Sequence, residues 1–190
     1  NLNTASTSVL GNIAIGTDAL NSTGTNAQTG TIAIGHQSLT ALTSGANNTA
    51  VGYLSADALT TGAQNTAIGD SALGATVDGT SNTAVGAYAM SGGDANLYNT
   101  GVGSQSLSSV TGSSNTGIGF QAGQTGSNNI TSGNNNTLIG SQTATSSASA
   151  DNQIVIGQSA TGQADNSVTL GNTDVTAVYM AEDSHATVYS

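Results

Sequence analysis

The chain contains no lysine, arginine, proline, cysteine or tryptophan. Without Lys or Arg nothing can neutralise phosphate, which closes the usual electrostatic route to DNA or RNA. Ten acidic residues face no basic ones, and the resulting net charge of −10 opposes approach to anionic membrane surfaces. The lack of cysteine excludes disulfides and leaves the redox compartment open. No apolar run approaches the roughly 18 residues of a transmembrane helix. The sequence opens Asn1-Leu2-Asn3, with neither Met nor a basic leader, as expected of a processed chain or a piece of a longer one.

Gly, Ser, Thr, Asn and Ala dominate what is there, while Ile, Leu, Val and Phe together number 34 of 190 residues. So little apolar surface with so much charge of one sign would ordinarily indicate disorder. That rule assumes scattered apolar residues, and here they recur in register.

The recurring unit is a tetrad: a β-branched residue, a small residue, an aliphatic residue and Gly. It occurs as Ile13-Ala14-Ile15-Gly16, Ile32-Ala33-Ile34-Gly35, Thr49-Ala50-Val51-Gly52, Thr66-Ala67-Ile68-Gly69 and Thr83-Ala84-Val85-Gly86. It continues as Thr100-Gly101-Val102-Gly103, Thr116-Gly117-Ile118-Gly119, Thr137-Leu138-Ile139-Gly140, Ile154-Val155-Ile156-Gly157 and Val168-Thr169-Leu170-Gly171. The anchor glycines lie 19, 17, 17, 17, 17, 16, 21, 17 and 14 residues apart. That period is too short for a domain and fits one solenoid turn. The expected fold is an all-β parallel β-solenoid, or β-roll, of about ten turns, roughly 50 Å long at the usual strand spacing.

Side chains alternate across a strand, so the first and third tetrad residues share one face. The third is always Ile, Val or Leu, which predicts a solenoid core of Ile15, Ile34, Val51, Ile68, Val85, Val102, Ile118, Ile139, Ile156 and Leu170. The middle column is small for seven turns: Ala14, Ala33, Ala50, Ala67, Ala84, Gly101 and Gly117. A solvated face would tolerate longer polar residues. The column is therefore expected to meet another backbone, as where three chains pack about a common axis in an intertwined or side-by-side homotrimer.

Asn precedes the tetrad at Asn12, Asn48, Asn65, Asn82, Asn99, Asn115 and Asn136, a column able to form an amide ladder along the rod. Leu20, Leu39, Leu73, Met90 and Leu107 fall four residues after an anchor Gly and predict a second, short inward-facing strand. Gly45, Gly62, Gly79, Gly112 and Gly133, seven residues before an anchor, mark a turn. Residues 1–8 read as a connection to a missing region and 9–119 as regular repeats. Residues 120–171 read as a less regular section with altered packing between chains, because Gly123, Ala144 and Thr161 replace the Leu column while Leu138 and Val155 fill the small one. Residues 172–190 read as a cap or transition, with strands at Asp174–Met180 and Ala186–Tyr189.

Repeats such as Asn65-Thr66-Ala67-Ile68-Gly69-Asp70-Ser71-Ala72-Leu73 resemble the YadA-like head repeats of trimeric autotransporter adhesins, and look even more like the Asn-Thr-Ala-Ile-Gly repeats of bacteriophage tail fibres. The resemblance spans about residues 9–171. It implies a left-handed β-roll, three chains around one axis, and attachment at a virion or bacterial cell surface. Repeat length departs from the adhesin pattern, which is tighter and nearer the final 14-residue spacing. The segment Asn166–Thr173 is similar to those preceding an endosialidase-type chaperone in phage fibres. That similarity implies a processing end at Ser190, where such a chaperone cleaves itself off.

No catalytic constellation emerges. His36 and His185 stand far apart without metal-spaced partners, and the acidic residues fall mostly one per turn rather than in the close pairs glycoside hydrolysis needs. No cofactor is expected. Calcium is the one metal the Asp and Asn content suits, without an EF-hand loop or a nonapeptide calcium repeat. Tyr53, Tyr88, Tyr98 and Phe120 are candidates for contact with a glycan or protein receptor, or for covering gaps between chains. A Thr column at 49, 66, 83, 100, 116 and 137 would suit an ice-binding face, but Ile13, Ile32, Ile154 and Val168 share it, which favours a partly buried site. The reading is a non-enzymatic, extracellular fibre or adhesin segment whose chief partner is itself. A receptor-free structural filament and a glycan depolymerase are the alternatives.

Overall fold

The computed structural model describes residues 11–21, 29–94, 97–126 and 128–178. Ten three-residue strands form one parallel sheet in sequence order: β1 (Ile13–Ile15), β2 (Ile32–Ile34), β3 (Thr49–Val51), β4 (Thr66–Ile68), β5 (Thr83–Val85), β6 (Thr100–Val102), β7 (Thr116–Ile118), β8 (Thr137–Ile139), β9 (Ile154–Ile156) and β10 (Val168–Leu170). Each tetrad is one strand, and equivalent tetrad positions pair, as in Thr66 with Thr83, Ala67 with Ala84 and Ile68 with Val85. The chain is thus an all-β solenoid, with nine turns between the first rung and the tenth.

The direction of the strand faces reverses the expectation. Ala33, Ala50, Ala67 and Ala84 are fully buried inside their own chain, and Leu138 and Val155 with them. Ile15, Ile68, Ile118, Ile139, Ile156 and Leu170 point outward and are exposed, with Ile68 at 39%; Ile34, Val51, Val85 and Val102 are half-buried on the same face. The aliphatic column is therefore not the solenoid core, and the small column is not an intermolecular one. Alternation fixes which residues share a face but not which face turns inward. The interior decides: a wall of Leu side chains stands opposite, and the space left over admits little more than a methyl group.

Glycine at the small column shows how tight that space is. A Cβ on Gly117 would lie 2.7 Å from Leu107 Cγ, and one on Gly101 would lie 3.0 Å from Met90 Cγ. Each strand centre thus packs on the residue four after the anchor in the preceding turn. From β8 onward the sizes exchange, with Leu138 on the strand and Gly123 opposite, where an added Cβ would meet Leu138 Cδ1 at 3.0 Å. The irregularity after Gly119 is a volume-conserving swap inside one chain, and the sheet runs through it unbroken.

The Leu column does point inward, but not from a strand. Leu20, Leu39, Leu73, Met90 and Leu107 have φ between 49° and 56°, in the left-handed region. Such residues cost about 1–2 kcal/mol each, and rung-to-rung hydrogen bonds hold them there: Leu39 N donates to Ser55 O at 3.0 Å and Leu73 N to Ala89 O at 2.9 Å. Across the interior, Ser38, Ser55 and Ser106 hydroxyls donate to Ala50, Ala67 and Gly117 carbonyls at 3.1, 3.1 and 2.9 Å. The anchor glycines stack directly. Gly35 has φ +136°, and a Cβ there would overlap the Gly52 carbonyl oxygen.

The Asn ladder forms as expected. Asn65, Asn82, Asn99, Asn115 and Asn136 each donate a backbone N–H to the Oδ1 of the previous rung, at 2.9–3.0 Å. Side-chain amides also reach carbonyls of the Gly column, Asn65 to Gly79 and Asn99 to Gly112, both at 2.8 Å. Gln153 adds a rung by donating its N–H to Asn136 Oδ1 at 3.0 Å. On the second rung Thr31 stands in the column. Its N–H reaches Asn12 Oδ1 at 2.8 Å, but its buried hydroxyl has no partner.

Among the described residues after β10 there is no strand. Asn172 instead turns the chain, accepting from Asp174 N on its side chain and Val175 N on its carbonyl, which correspondingly departs from the expected strand at 174–180. Residues 1–8, the expected strand at 186–189, His185 and Ser190 lie outside the described residues.

Candidate interaction surfaces

Three surfaces stand out. The first is the outer face of the sheet, two columns wide along all ten rungs. One column is Thr on β3 to β8 and Ile or Val on the end strands; the other is Ile, Val or Leu throughout. It carries no charged residue, on a chain whose net charge is −10.

The second comprises Tyr53, Tyr88, Tyr98 and Phe120, the aromatics among the described residues, all exposed, with Tyr98 at 64%. They do not converge. Tyr53 and Phe120 each follow an anchor Gly, but four rungs apart, about 19 Å at strand spacing. Tyr88 and Tyr98 stand in two other columns, both at left-handed positions with φ 58° and 61°. Among the described rings only His36 and Tyr53 touch, stacking with ring centroids 5.4 Å apart.

The third was not foreseen from sequence. It is an open hollow of about 560 Å³ lined by Gln121, Gln124, Thr125, Gly126, Asn128, Gln142, Ala144, Ser159 and Thr161. It arises beside the longest anchor spacing, 21 residues, and that irregular interval was its one signal in the sequence. The extra chain is cinched by Gln124 N to Gln121 O at 2.9 Å and Gly126 N to Asn129 Oδ1 at 2.6 Å. A second hollow of about 330 Å³ shares Ser159 and Thr161 with it.

Three of the carboxylates tie rungs together. Asp94 accepts from Val77 N at 2.9 Å, Asp151 from Asn134 N at 2.7 Å, and Asp165 from Asp151 N at 2.9 Å. Burial pushes the Asp57 carboxyl above its usual range, partly offset by hydrogen bonds from its own and the Ala58 backbone amides. Among the described residues no three His, Cys, Asp or Glu side chains gather as a metal site would require, and no helix is long and apolar enough to cross a membrane.

Comparison with known proteins found no match to any family model, curated protein or solved structure.

Proposed function

We propose that the chain is a non-enzymatic structural rod that assembles with two further copies through its aliphatic sheet face and serves attachment outside the cell, at a virion or bacterial surface. The observation that carries this is the uncharged double column, aliphatic throughout on one side and Thr on β3 to β8 on the other, extending over all ten rungs of an otherwise strongly acidic chain. A patch roughly 45 Å long and 7 Å wide, by strand spacing, is a liability unless covered. It is also narrow for a two-body interface, which needs about 800 Å² per partner. A stripe of that shape suits a shared axis, where each copy touches two others and the flanking turns add area. The assembly's negative charge, three times the −10 of one chain, is tolerated because no charged residue lies on the stripe itself. The resemblance to YadA-like and tail-fibre repeats points the same way, and it alone supplies the trimeric number and the left hand.

Ile68→Asp and Ile118→Asp test this. Each places a carboxylate on the stripe without entering the core, so circular dichroism should stay that of the wild type while sedimentation shifts from trimer to monomer. A wild type that sediments as a monomer at micromolar concentration, or trimers unchanged by both substitutions, would refute the assembly. The outward Thr column favours one rival, ice binding, since the stripe is regular and exposed. In that case the wild-type monomer would show thermal hysteresis that Thr83→Asp removes.

A further inference from the structure

We propose that the hollow lined by Gln121, Gln124 and Gln142 is a binding site for a neutral oligosaccharide, giving the rod proposed above its receptor chemistry. The argument proceeds by elimination over its lining. No lysine or arginine exists to pair with an anionic ligand, and the chain's charge repels one. No carboxylate lines the hollow to hold a cation, and only the Ala144 methyl offers an apolar side-chain floor. What remains is a ring of amides and hydroxyls, from Gln121, Gln124, Asn128, Gln142, Ser159 and Thr161, in a volume within the range of small-molecule sites, about 300–1,000 Å³.

Two details make the site directional. Gln142 Nε2 donates to Gln121 Oε1 at 3.2 Å, and Gln121 Nε2 donates to Gln105 Oε1 at 2.7 Å. This amide ladder fixes both lining side chains in orientation before any ligand arrives. Gln124 Oε1, buried beneath the lining, has no hydrogen-bond partner in the free chain, so rotation of this side chain into the hollow is favoured once a donor is there. A sugar hydroxyl supplies one and accepts from the neighbouring groups as well. The second hollow, sharing Ser159 and Thr161, extends the site beyond a single ring. The lining comes from turns and not from the outward strand columns that carry the proposed assembly. Each site is weak alone, and repetition on an assembly raises avidity by about 10²–10⁴-fold on a multivalent surface.

Ser159→Tyr is the decisive variant. Tyr88 already occupies the equivalent position after its anchor, with φ 58° against 53° for Ser159, so the backbone accepts the ring while the hollow is filled. Saturation-transfer NMR on the intact chain, with lactose, maltotriose and tri-N-acetylchitotriose at millimolar concentration, should detect binding of at least one sugar. Sialyllactose serves as the charged control. Ser159→Tyr should abolish the signal and Gln124→Ala should weaken binding about tenfold, the loss of one hydrogen bond, both with unchanged melting. Absence of signal with all three neutral sugars, equal binding by Ser159→Tyr, or loss of binding in Tyr53→Ala instead would overturn the proposal. Sedimentation of the same samples separates that failure from a failure of assembly.

Discussion

At each strand centre one side chain shares its space with one residue of the preceding turn. Gly101 lies against Met90, Gly117 against Leu107, and Leu138 against Gly123. By register Ala84 stands against Leu73, both fully buried. Ala84→Leu should therefore lower the denaturation midpoint by about 1–3 kcal/mol of overpacking. Adding Leu73→Gly should recover part of that loss, because it recreates the Gly123/Leu138 arrangement and Gly suits the φ of 56° at position 73. Additive losses in a double-mutant cycle would show that the two sites do not share space. The same pairs explain what the sequence conceals about direction. Period two makes Thr66 and Ile68 partners on one face, yet an Ala or Gly column looks alike whether another chain or the solenoid's own Leu wall crowds it. The exchange of sizes at Leu138 and Gly123 was the available clue, since compensation between two columns implies that they touch.

At the scale of the rung the Asn ladder is the continuous element, and it can be both broken and completed. Asn82→Ala removes the acceptor of two Asn99 donors, its backbone N–H at 2.9 Å and side-chain amide at 3.3 Å. Leaving buried donors unpaired costs about 1–3 kcal/mol, whereas the exposed Asp70→Asn should stay within about 0.5 kcal/mol. Thr31→Asn should do the reverse, filling the one gap between Asn12 and Asn48 and raising stability by about 1 kcal/mol. Chemical denaturation measures all three, and a destabilised Thr31→Asn would mean that the second rung cannot hold an amide. Strand position, parallel register and this ladder were legible because one spacing repeats in every turn. The turns were not. Leu39, Leu73 and Leu107 sit at positive φ against their local preference, held by hydrogen bonds to the next rung and by burial. Local sequence carries no signal for a conformation that only its stacked neighbour stabilises.

For the whole molecule, the missing cations set the response to pH and salt. Acid usually destabilises proteins because native carboxylates lose their charged partners, and this chain has no Lys or Arg to provide them. Its ten acidic residues repel one another instead. Asp57 adds a local contribution of the same sign. Burial raises its carboxyl above the usual 3.8 of a free side chain, so the neutral form is favoured in the folded chain. Its contribution is fully present below about 3.8 and is lost as pH rises through the folded value; at pH 7 it is ionised at a desolvation cost. Acidification from pH 7 toward 5 should therefore raise the unfolding midpoint, and so should salt at pH 7, by screening over about 10 Å at 0.1 M. Asp57→Asn should flatten the slope between pH 7 and 5 and stabilise the chain at pH 7. Denaturant unfolding of dilute protein at several pH values, with the oligomeric state followed by light scattering, makes the measurement. A midpoint that falls between pH 7 and 5 would show that carboxylate hydrogen bonding between rungs outweighs repulsion across the rod.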